Sequence, residues 1–446
     1  DQGRIISIAP ATELTANGPI QHIDGSGQYI VPGYNNMHSH ALQADNAPAV
    51  LAMMLTEGVT GFRQMAGSQR LLANRQDGTL PLNEHTPSLL AMPGDLLLPF
   101  NADTIAHAVD QIHRQKAQGA DFIKMISTSP PIFYATLEEA RRQQIPVLGH
   151  LPEGVDPARA STLGFRSIEH LGPGDTVWIG CSSDMENLLA EAEQHPAVKV
   201  PPIPGFILRL LSPLVEGWAR KYLINPAAFE EEVDVQRLQR AFDTYNPDKC
   251  LSLAQLFAAN ETWMVPTLVR LRTQQLADLP EYRNDPMIPY LIPQSYREWL
   301  EVADIFAKLP EASRATFRLA YERQLALTRL MAQAGVPMLA GTDGSGQAPG
   351  QSLQQEFGEL AKAGLPPLKI LQMATIDPAR FLHRTDTMGT VAVGKNADLI
   401  LLDGNPLTDV ANLGRITAVV RAGHYHSRQD LDQIKARIAE GQGHLR

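Results

Sequence analysis

The chain has 446 residues, of which 44% are hydrophobic and 19% are charged, a globular rather than a disordered composition. That length exceeds one ordinary core, whereas a large α/β barrel with an appended domain would absorb it. The net charge of −10 argues against nucleic acid or an anionic membrane as the main partner, because both bind basic patches. No apolar run of about 18 residues occurs, so no membrane span is predicted.

Short strands are predicted at both chain ends, each bounded by Gly, Pro-Gly or Asp-Gly turns. They are Gly3–Ile8, Gln28–Gly33, Gly389–Lys395, Ala397–Asp403 and Ile416–Gly423. We expect residues 1–32 and 388–428 to pair into one small β-sandwich, and residues 429–446 to form a C-terminal helix or tail.

Between these ends, apolar runs alternate with helical patterns, which indicates βα units and a parallel sheet. The predicted strands are Tyr34–His40, Thr60–Ala66, Leu89–Asp95, Asp121–Ile126, Val147–Pro152, Ser167–Gly172, Trp263–Val269 and Pro337–Asp343. Helical patterns lie between them, for example over Asp103–Gln118 and Leu137–Gln143. The fold class is therefore α/β, with a distorted (β/α)8 TIM barrel over residues 33–387.

A long gap, about residues 175–262, separates the sixth strand from the seventh. A structureless loop of that length is rare in a compact domain. Helical periodicity covers Met185–Glu193, Phe206–Leu211 and Val235–Phe242. We interpret the gap as a helical insertion over the barrel mouth, serving as a lid or an oligomer contact. The segment Pro280–Leu330 is also predicted to be helical.

Six metal-binding or activating side chains stand near the ends of predicted strands. They are His38, His40, Lys124, His150, His170 and Asp343. Divalent metals need neutral imidazoles and anionic oxygens that converge on one point, and a barrel of parallel strands brings distant residues to one face. Taken singly, the histidines could be surface or core residues and Asp343 a helix cap or turn residue. Their order along the chain favours one metal site.

Lys124 is unusual because it lies in mid-strand between Ile123 and Met125. A desolvated lysine has a lowered pKa and a nucleophilic neutral amine, which can add carbon dioxide to form a carbamate. That anion could bridge two metal ions. The alternative is a lysine paired with a nearby carboxylate.

The chain contains two cysteines, Cys181 and Cys250. Neither lies in a C-x-x-C pair or close to a histidine cluster, so a thiolate metal site is not predicted. Two free thiols are favoured over a disulfide between them.

The chain resembles the amidohydrolase superfamily, binuclear subtype, and within it the imidazolonepropionase-like and prolidase-like hydrolases. The resemblance runs over nearly the whole chain. It is carried by Val31-Pro32-Gly33 before H-x-H, Glu57–Thr60, Asp121–Met125, Ser167–Leu171, Val265–Val269, Ala334–Pro337 before Gly341-Thr342-Asp343, Ala374–Phe381, and Gly389–Asp403 with Asn405-Pro406-Leu407. One departure is visible: Asn36 stands two residues before His38, where the family usually has Asp.

The resemblance implies two divalent metal ions, usually zinc. His38, His40 and Asp343 would hold the buried ion, His150 and His170 the exposed one, and N6-carboxylated Lys124 would bridge them. A metal-activated hydroxide would attack a polarised carbonyl, with Asp343 as general base and then acid. His150 or Tyr134 would stabilise the oxyanion.

The substrate is left as an N-acyl amino acid, an apolar dipeptide, a cyclic amide, or an aryl amide or carbamate. The apolar stretch Met92–Phe100 lacks histidine and suggests a hydrophobic pocket. Arg270 and Arg272 could clamp a substrate carboxylate, or they could face solvent. The alternatives are a lactonase, esterase or phosphotriesterase-like enzyme with the same site, or a non-catalytic scaffold.

We expect a small-molecule substrate, no nucleic-acid or membrane partner, and a homo-oligomer. The chain starts at Asp1 without Met, in what resembles the second strand of a hairpin. The compartment is therefore left open between the cytoplasm and, after removal of a signal peptide, the periplasm or exterior.

Overall fold

Two parallel sheets and one antiparallel sheet form the strand framework of the computed structural model. The structure describes residues 1–10, 13, 20–172, 174–195, 212–344 and 352–441, with the backbone alone at 212–216. The strands are β1 (Tyr29–Pro32), β2 (Tyr34–Ser39), β3 (Val59–Gln64), β4 (Ser88–Ala91), β5 (Ile123–Met125), β6 (Val147–Gly149), β7 (Ser167–Glu169), β8 (Trp263–Val265), β9 (Leu399–Leu402), β10 (Ile416–Arg421) and β11 (His424–Ser427).

Helices follow most of the parallel strands. They are α1 (Ala47–Thr56), α2 (Gln69–Gln76), α3 (Ile105–Ala117), α4 (Pro130–Arg142), α5 (Pro157–Thr162), α6 (Thr176–Gly180), α7 (Met185–Gln194), α8 (Ser212–Ile224), α9 (Glu232–Asp243), α10 (Pro247–Ala259), α11 (Leu268–Gln275), α12 (Pro293–Ala307), α13 (Glu311–Gln333), α14 (Leu353–Lys362), α15 (Pro367–Ala374), α16 (Ile376–Phe381) and α17 (Arg428–Gly441). Within the described ranges, every helix is too short or too polar to span a bilayer.

The parallel sheets have the orders β2-β3-β4 and β5-β6-β7-β8. Isolated parallel bridges lie at their margins: Leu97 pairs with Met125, Met264 with Met338, and Ser39 with Gly344. Strands alternating with helices in sequential order give a TIM-barrel-like α/β arrangement. The segment predicted as the eighth strand, Pro337–Asp343, forms no continuous strand, but Met338 bridges to Met264 and backbone hydrogen bonds tie the segment to β2 and β8.

The observed strands are shorter than the predicted ones, because the chain turns soon after each buried run. The seventh predicted strand, Trp263–Val269, ends at Val265, since Thr267 adopts a left-handed backbone with φ 48° and helix α11 begins at Leu268. A left-handed residue cannot continue a strand. The prediction extended this strand to Val269 because Leu268 and Val269 are apolar. Both residues are buried, but in the helix.

The two chain ends pair, as predicted, in an antiparallel sheet of order β1-β9-β10-β11. The predicted strand Gly3–Ile8 contributes only a bridge between Arg4 and Asn396, and 389–395 forms no strand. The final strand, β11, was not predicted. The described residues give this one sheet, and a second layer of a sandwich stays a prediction.

The insertion is helical, as predicted. Met185–Glu193 lies within α7 and Val235–Phe242 within α9, whereas Phe206–Leu211 lies outside the described residues. The predicted segment Pro280–Leu330 holds α12 and most of α13.

The expectation of two free thiols is wrong, because Cys181 and Cys250 form a disulfide. Cys181 follows helix α6 and Cys250 lies in helix α10, and both side chains are fully buried. Their Cα atoms are 4.3 Å apart, although 69 residues separate them along the chain. Such proximity arises from helix packing within the insertion, which residue spacing alone does not reveal.

One apolar cluster collects side chains from nearly all the parallel strands, which places it in their common interior. Its members are Met37, Met65, Leu90, Ala91, Phe122, Leu148, Trp263, Val265, Leu339 and Phe381. Lys124 and His150 each lie two residues beyond a member of this cluster. These two polar side chains therefore lie next to the apolar cluster, near the carboxyl ends of the strands.

Candidate metal centre

Two histidines and an aspartate meet at the end of β2. The Nε2 atoms of His38 and His40 lie 3.1 and 2.9 Å from Oδ1 of Asp343. The pairing register of β2 with β3 shifts between Asn36 and Ser39, and such irregularities re-aim side chains. Asp343 has φ 58°, a left-handed conformation that is rare outside glycine and is often found at functional sites.

Two further histidines complete a continuous group of imidazoles. The ring centroid of His170 lies 4.7 Å from that of His38 and 5.0 Å from that of His150. His170 also has a left-handed backbone, with φ 59°. Ligand atoms of His38, His170 and Asp343 all lie within 4.8 Å of one another. The structure thus brings together residues from β2, β6, β7 and the segment after β8.

Two glycines let the backbones approach this group closely. A Cβ added at Gly341 would lie 2.7 Å from Cβ of His38. One added at Gly149, where φ is +132°, would lie 2.9 Å from Cδ of Lys124. Larger residues at either position would displace a predicted ligand.

Lys124 is buried beside these residues with 1% exposure, and its Nζ has no hydrogen-bond partner in the described part of the chain. Burial lowers the pKa of Lys124 to about 8, although Glu169 and Asp343 attract the charged form. A buried amine without a partner is costly unless it is neutral or modified. This is the arrangement that a reactive lysine requires.

Burial also favours the neutral form of three of these histidines. It lowers the pKa of His170 to about 3, and it lowers the pKa values of His40 and His150 as well. Burial opposes ionisation of Asp343, but His38 and His170 hold the pKa of that carboxyl well below its ordinary value. Neutral imidazoles and an ionised carboxylate are the forms that bind divalent metals.

This donor set fits a divalent transition metal. Four imidazoles and one carboxylate converge on a buried place, and Nε2 of His38 is buried without a hydrogen bond that satisfies it. Imidazole nitrogens suit zinc, copper, iron and nickel, and a carboxylate adds the anionic oxygen that such sites commonly hold.

Glu169 orients the first histidine, and the sequence analysis missed it. Its Oε2 lies 2.6 Å from Nδ1 of His38, while Oε1 accepts hydrogen bonds from Arg63 at 2.8 Å and Ser167 at 2.7 Å. All four side chains are buried. A carboxylate on Nδ1 fixes the tautomer that leaves Nε2 free for a metal. The available signal was a charged residue inside the short apolar strand β7.

Thr267 supports His170 in a similar way, since its Oγ1 lies 2.6 Å from Nδ1 of the ring. Its left-handed backbone places the hydroxyl at the start of α11. His38 and His170 therefore each have a hydrogen-bond partner on Nδ1, which leaves Nε2 of each ring available for a metal ion.

Asn36 ties together the two segments that carry ligands. Its Oδ1 accepts hydrogen bonds from the backbone N–H groups of His38 and Thr342, both at 3.2 Å, and its Nδ2 donates to Oγ1 of Thr342 at 2.9 Å. Asn36, which stands where the family usually has Asp, thus joins these two segments by hydrogen bonds. The predicted ligands remain in place.

Arg270 lies against Asp343. Its Nε is 3.1 Å from Oδ2 of Asp343, Nη1 donates to the carbonyl of Ile224 at 2.5 Å, and Nη2 donates to that of Leu223. Those carbonyls end helix α8. The guanidinium therefore connects the insertion to the predicted general base.

The other sequence-predicted site residues lie in other contacts. Arg272 forms ion pairs with Asp285 at 3.7 Å and Glu359 at 3.4 Å. The hydroxyl of Tyr134 accepts a hydrogen bond from the backbone N–H of Asp156, and Arg159 covers its ring. Their roles in binding and catalysis stay predictions.

Comparison with known proteins gives a family match for part of the chain and solved structures with a similar fold. The amidohydrolase family matches residues 263–425. A bottromycin amidohydrolase structure is 20% identical, with a TM-score of 0.68, and the alignment covers 99% of this chain and 85% of that one. No curated protein matches the chain.

Two further structures show the same fold. A prolidase structure from Bifidobacterium longum is 19% identical, with TM-score 0.58 and coverage of 98% and 92% of the two chains. The ochratoxinase of A. niger is 17% identical, with TM-score 0.52 and coverage of 89% and 83%. The family match over residues 263–425 agrees with the resemblance drawn from the sequence, and the solved structures share the fold.

Proposed function

We propose that this protein is a metal-dependent hydrolase that cleaves an amide-type C–N bond at the group of residues around Asp343. The observation that carries the proposal is the convergence of four imidazoles on the carboxylate of Asp343, beside a buried lysine whose Nζ has no hydrogen-bond partner among the described residues. His38, His40 and Asp343 would hold one divalent ion, and His150 and His170 a second. The ions are proposed to be zinc.

Lys124, as a carbamate, would also help to hold the ions. Its neutral Nζ forms a new N–C bond with carbon dioxide, and one proton is released to solvent. The product is an anion with two oxygen ligands, where the unmodified amine offers one nitrogen. The burial of Lys124, with no hydrogen-bond partner for Nζ among the residues described, supports this proposal.

The metal ions, when bound, would lower the pKa of a water molecule so that hydroxide is available near neutral pH. Asp343 accepts the proton of that water and delivers it to the leaving nitrogen. Its Oδ1 faces His38 and His40, while Oδ2 is held by Arg270. Arg270 thus helps to hold the carboxylate in position. His150 or Tyr134 would stabilise the oxyanion.

The fold that supports this site is proposed to be a distorted (β/α)8 barrel over residues 33–387. The isolated bridges at the margins of the two parallel sheets support closure. Residues 1–32 and 388–428 would form the β-sandwich, and 429–446 the C-terminal helix or tail. The assembly is proposed to be a homo-oligomer.

The substrate is proposed to carry an apolar or aromatic group, as in an N-acyl amino acid, apolar dipeptide, cyclic amide, or aryl amide or carbamate. Trp218, Tyr222 and Phe229 form an aromatic group on α8 and just after it, with Trp218 and Tyr222 stacked at 5.2 Å. Arg270 ties the end of α8 to Asp343. A carboxylate clamp by Arg270 and Arg272 would require both to exchange their present partners.

The test is a substrate panel offered to the zinc-loaded protein: N-acyl amino acids, dipeptides and aryl amides, with lactone and phosphotriester chromogens alongside. Turnover of an amide is expected. Turnover of lactones or phosphotriesters alone would indicate the alternative hydrolase. A protein that turns over nothing and purifies without metal or lysine carboxylation would indicate a scaffold.

The variant Asp343→Asn distinguishes the role of Asp343 in metal binding from its role in proton transfer. The amide keeps an oxygen for the metal but cannot accept a proton, so we expect much of the metal to remain while kcat falls by about 100-fold or more. Metal analysis and steady-state kinetics measure the two effects. Wild-type turnover in this variant would contradict the role given to Asp343.

A further inference from the structure

A second group of histidines lies far from Asp343 in the chain, where the C-terminal sheet meets the segment before β4. His424 and His426 are alternate residues of β11, so their side chains project from the same side of the strand. His85 lies opposite them. Its ring centroid is 5.0 Å from that of His424 and 5.4 Å from that of His426.

These spacings are those of imidazoles that share one metal ion. With Zn–N bonds of about 2.0–2.1 Å and tetrahedral geometry, ring centroids lie roughly 5 Å apart. The histidines of the buried centre have nearly the same spacing, 4.7 Å between His38 and His170 and 5.4 Å between His38 and His40.

We propose that His85, His424 and His426 form a separate metal site that binds a divalent transition ion such as Zn²⁺. Water or the neighbouring carboxylate of Glu84, whose Oε1 is 3.8 Å from Nε2 of His85, would complete the coordination. No role in hydrolysis is required of this site, and it does not depend on the proposed function.

The backbones that carry the three rings are already held together. Arg421 of β10 donates from Nε to the carbonyl of Thr86 at 2.7 Å and from Nη2 to Oγ of Ser88 at 2.8 Å. The turn around His85 is closed by its own N–H, which donates to Oδ1 of Asn83 at 2.8 Å. An ion would therefore bind without paying for ordering of a loop.

One ring nitrogen is already free for such an ion. Nε2 of His426 is buried and has no hydrogen-bond partner in the described part of the chain. The rings meet edge to face, at 63° and 87°, so a rotation of the side chains must turn their nitrogens inward. His85 and His424 are exposed, which leaves room for that rotation.

The site would link β11, an edge strand of the terminal sheet, to the segment that leads into β4. It would act as a cross-link between the two parts of the fold. Because the ion binds the folded arrangement alone, the gain in stability grows with free metal concentration.

The experiment uses the untagged full chain, titrated with Zn²⁺ alone by calorimetry, with metal content measured after desalting. We expect wild type to bind one more Zn²⁺ per chain than the His424→Asn/His426→Asn variant. His107→Asn is the matched control, since His107 is an exposed histidine paired with Asp103 on another face. It should bind as wild type does.

His85→Asn is the second variant, because a side chain 54% exposed in a loop can be replaced without disturbing the fold. This variant should also lose the ion. It keeps the proposal testable even if the double variant fails to fold. Equal zinc stoichiometry in wild type and His85→Asn would overturn the proposal. Loss of one ion with unchanged occupancy of the centre around Asp343 would support it.

Discussion

Lys124 is the residue where burial and charge conflict most directly. Its amine has no hydrogen-bond partner within the ranges that the structure describes, and its pKa is lowered to about 8 by burial. Lys124→Ala should therefore lose metal occupancy, because the bridging anion can no longer form. Bicarbonate together with a short carboxylic acid should restore part of the occupancy and activity.

Metal content per chain is the measurement for this variant, and Lys116→Ala, at an exposed lysine of α3, is its control. Full metal occupancy in Lys124→Ala would show that this side chain does not bridge ions.

Glu169 is the buried residue on which both His38 and Arg63 depend. Burial opposes its ionisation, yet Arg63 and His38 hold its pKa below the ordinary value. Glu169→Gln leaves the Arg63 charge without a counterion and should cost about 3–5 kcal/mol of unfolding free energy. It should also weaken metal binding by about 10- to 100-fold, since the single amide oxygen cannot accept from both Nδ1 of His38 and the Arg63 guanidinium.

Urea unfolding and zinc titration measure these two effects. The control is Glu261→Gln, whose exposed pairing with Arg166 at 3.6 Å should be worth about 0–1 kcal/mol. A stable Glu169→Gln protein with wild-type zinc affinity would refute the assigned role.

The sequence pointed to the predicted ligands but not to their supports, and the reason is geometric. A ligand histidine at a strand end carries a local signal, such as His38-Ser39-His40. Glu169 and Arg63 are 106 residues apart, and Thr267 is 97 residues from His170. Their roles depend on which side chains meet across the interior, and no spacing along the chain encodes that.

Among the elements, helices α6 and α10 of the insertion are joined by the Cys181–Cys250 disulfide. Cys181→Ser should lower the unfolding free energy by about 2–4 kcal/mol, because the unfolded chain regains the freedom of a long loop. The midpoint of urea unfolding measures the loss. Wild type with a reducing agent should match the variant, and a wild type insensitive to reduction would contradict this.

Strand and helix boundaries show where sequence patterns lose precision. The periodic helices were located to within a few residues, for instance α7 over Met185–Gln194 against a prediction of Met185–Glu193. Strand ends were overextended because His170, Thr267 and Asp343 take left-handed conformations that their residue types do not announce. Those departures coincide with the predicted site.

For the whole molecule, the proposed ligands come from in or next to β2, β5, β6 and β7 and from the segment after α13, and they converge on one place. Metal should therefore stabilise the entire domain, by about 4 kcal/mol when free metal exceeds its Kd 1,000-fold. A chelator should lower the melting temperature of zinc-loaded protein, and added zinc should restore it. Lys124→Ala should respond less. A melting temperature unaffected by chelation would indicate that the centre holds no ion.

The cross-link within the insertion has a practical consequence for anyone preparing this protein. Thiols persist in a reducing cytosol and are oxidised in secretory compartments. The expression host therefore decides whether the purified material carries the Cys181–Cys250 bond, and two laboratories using different hosts would be comparing different covalent species.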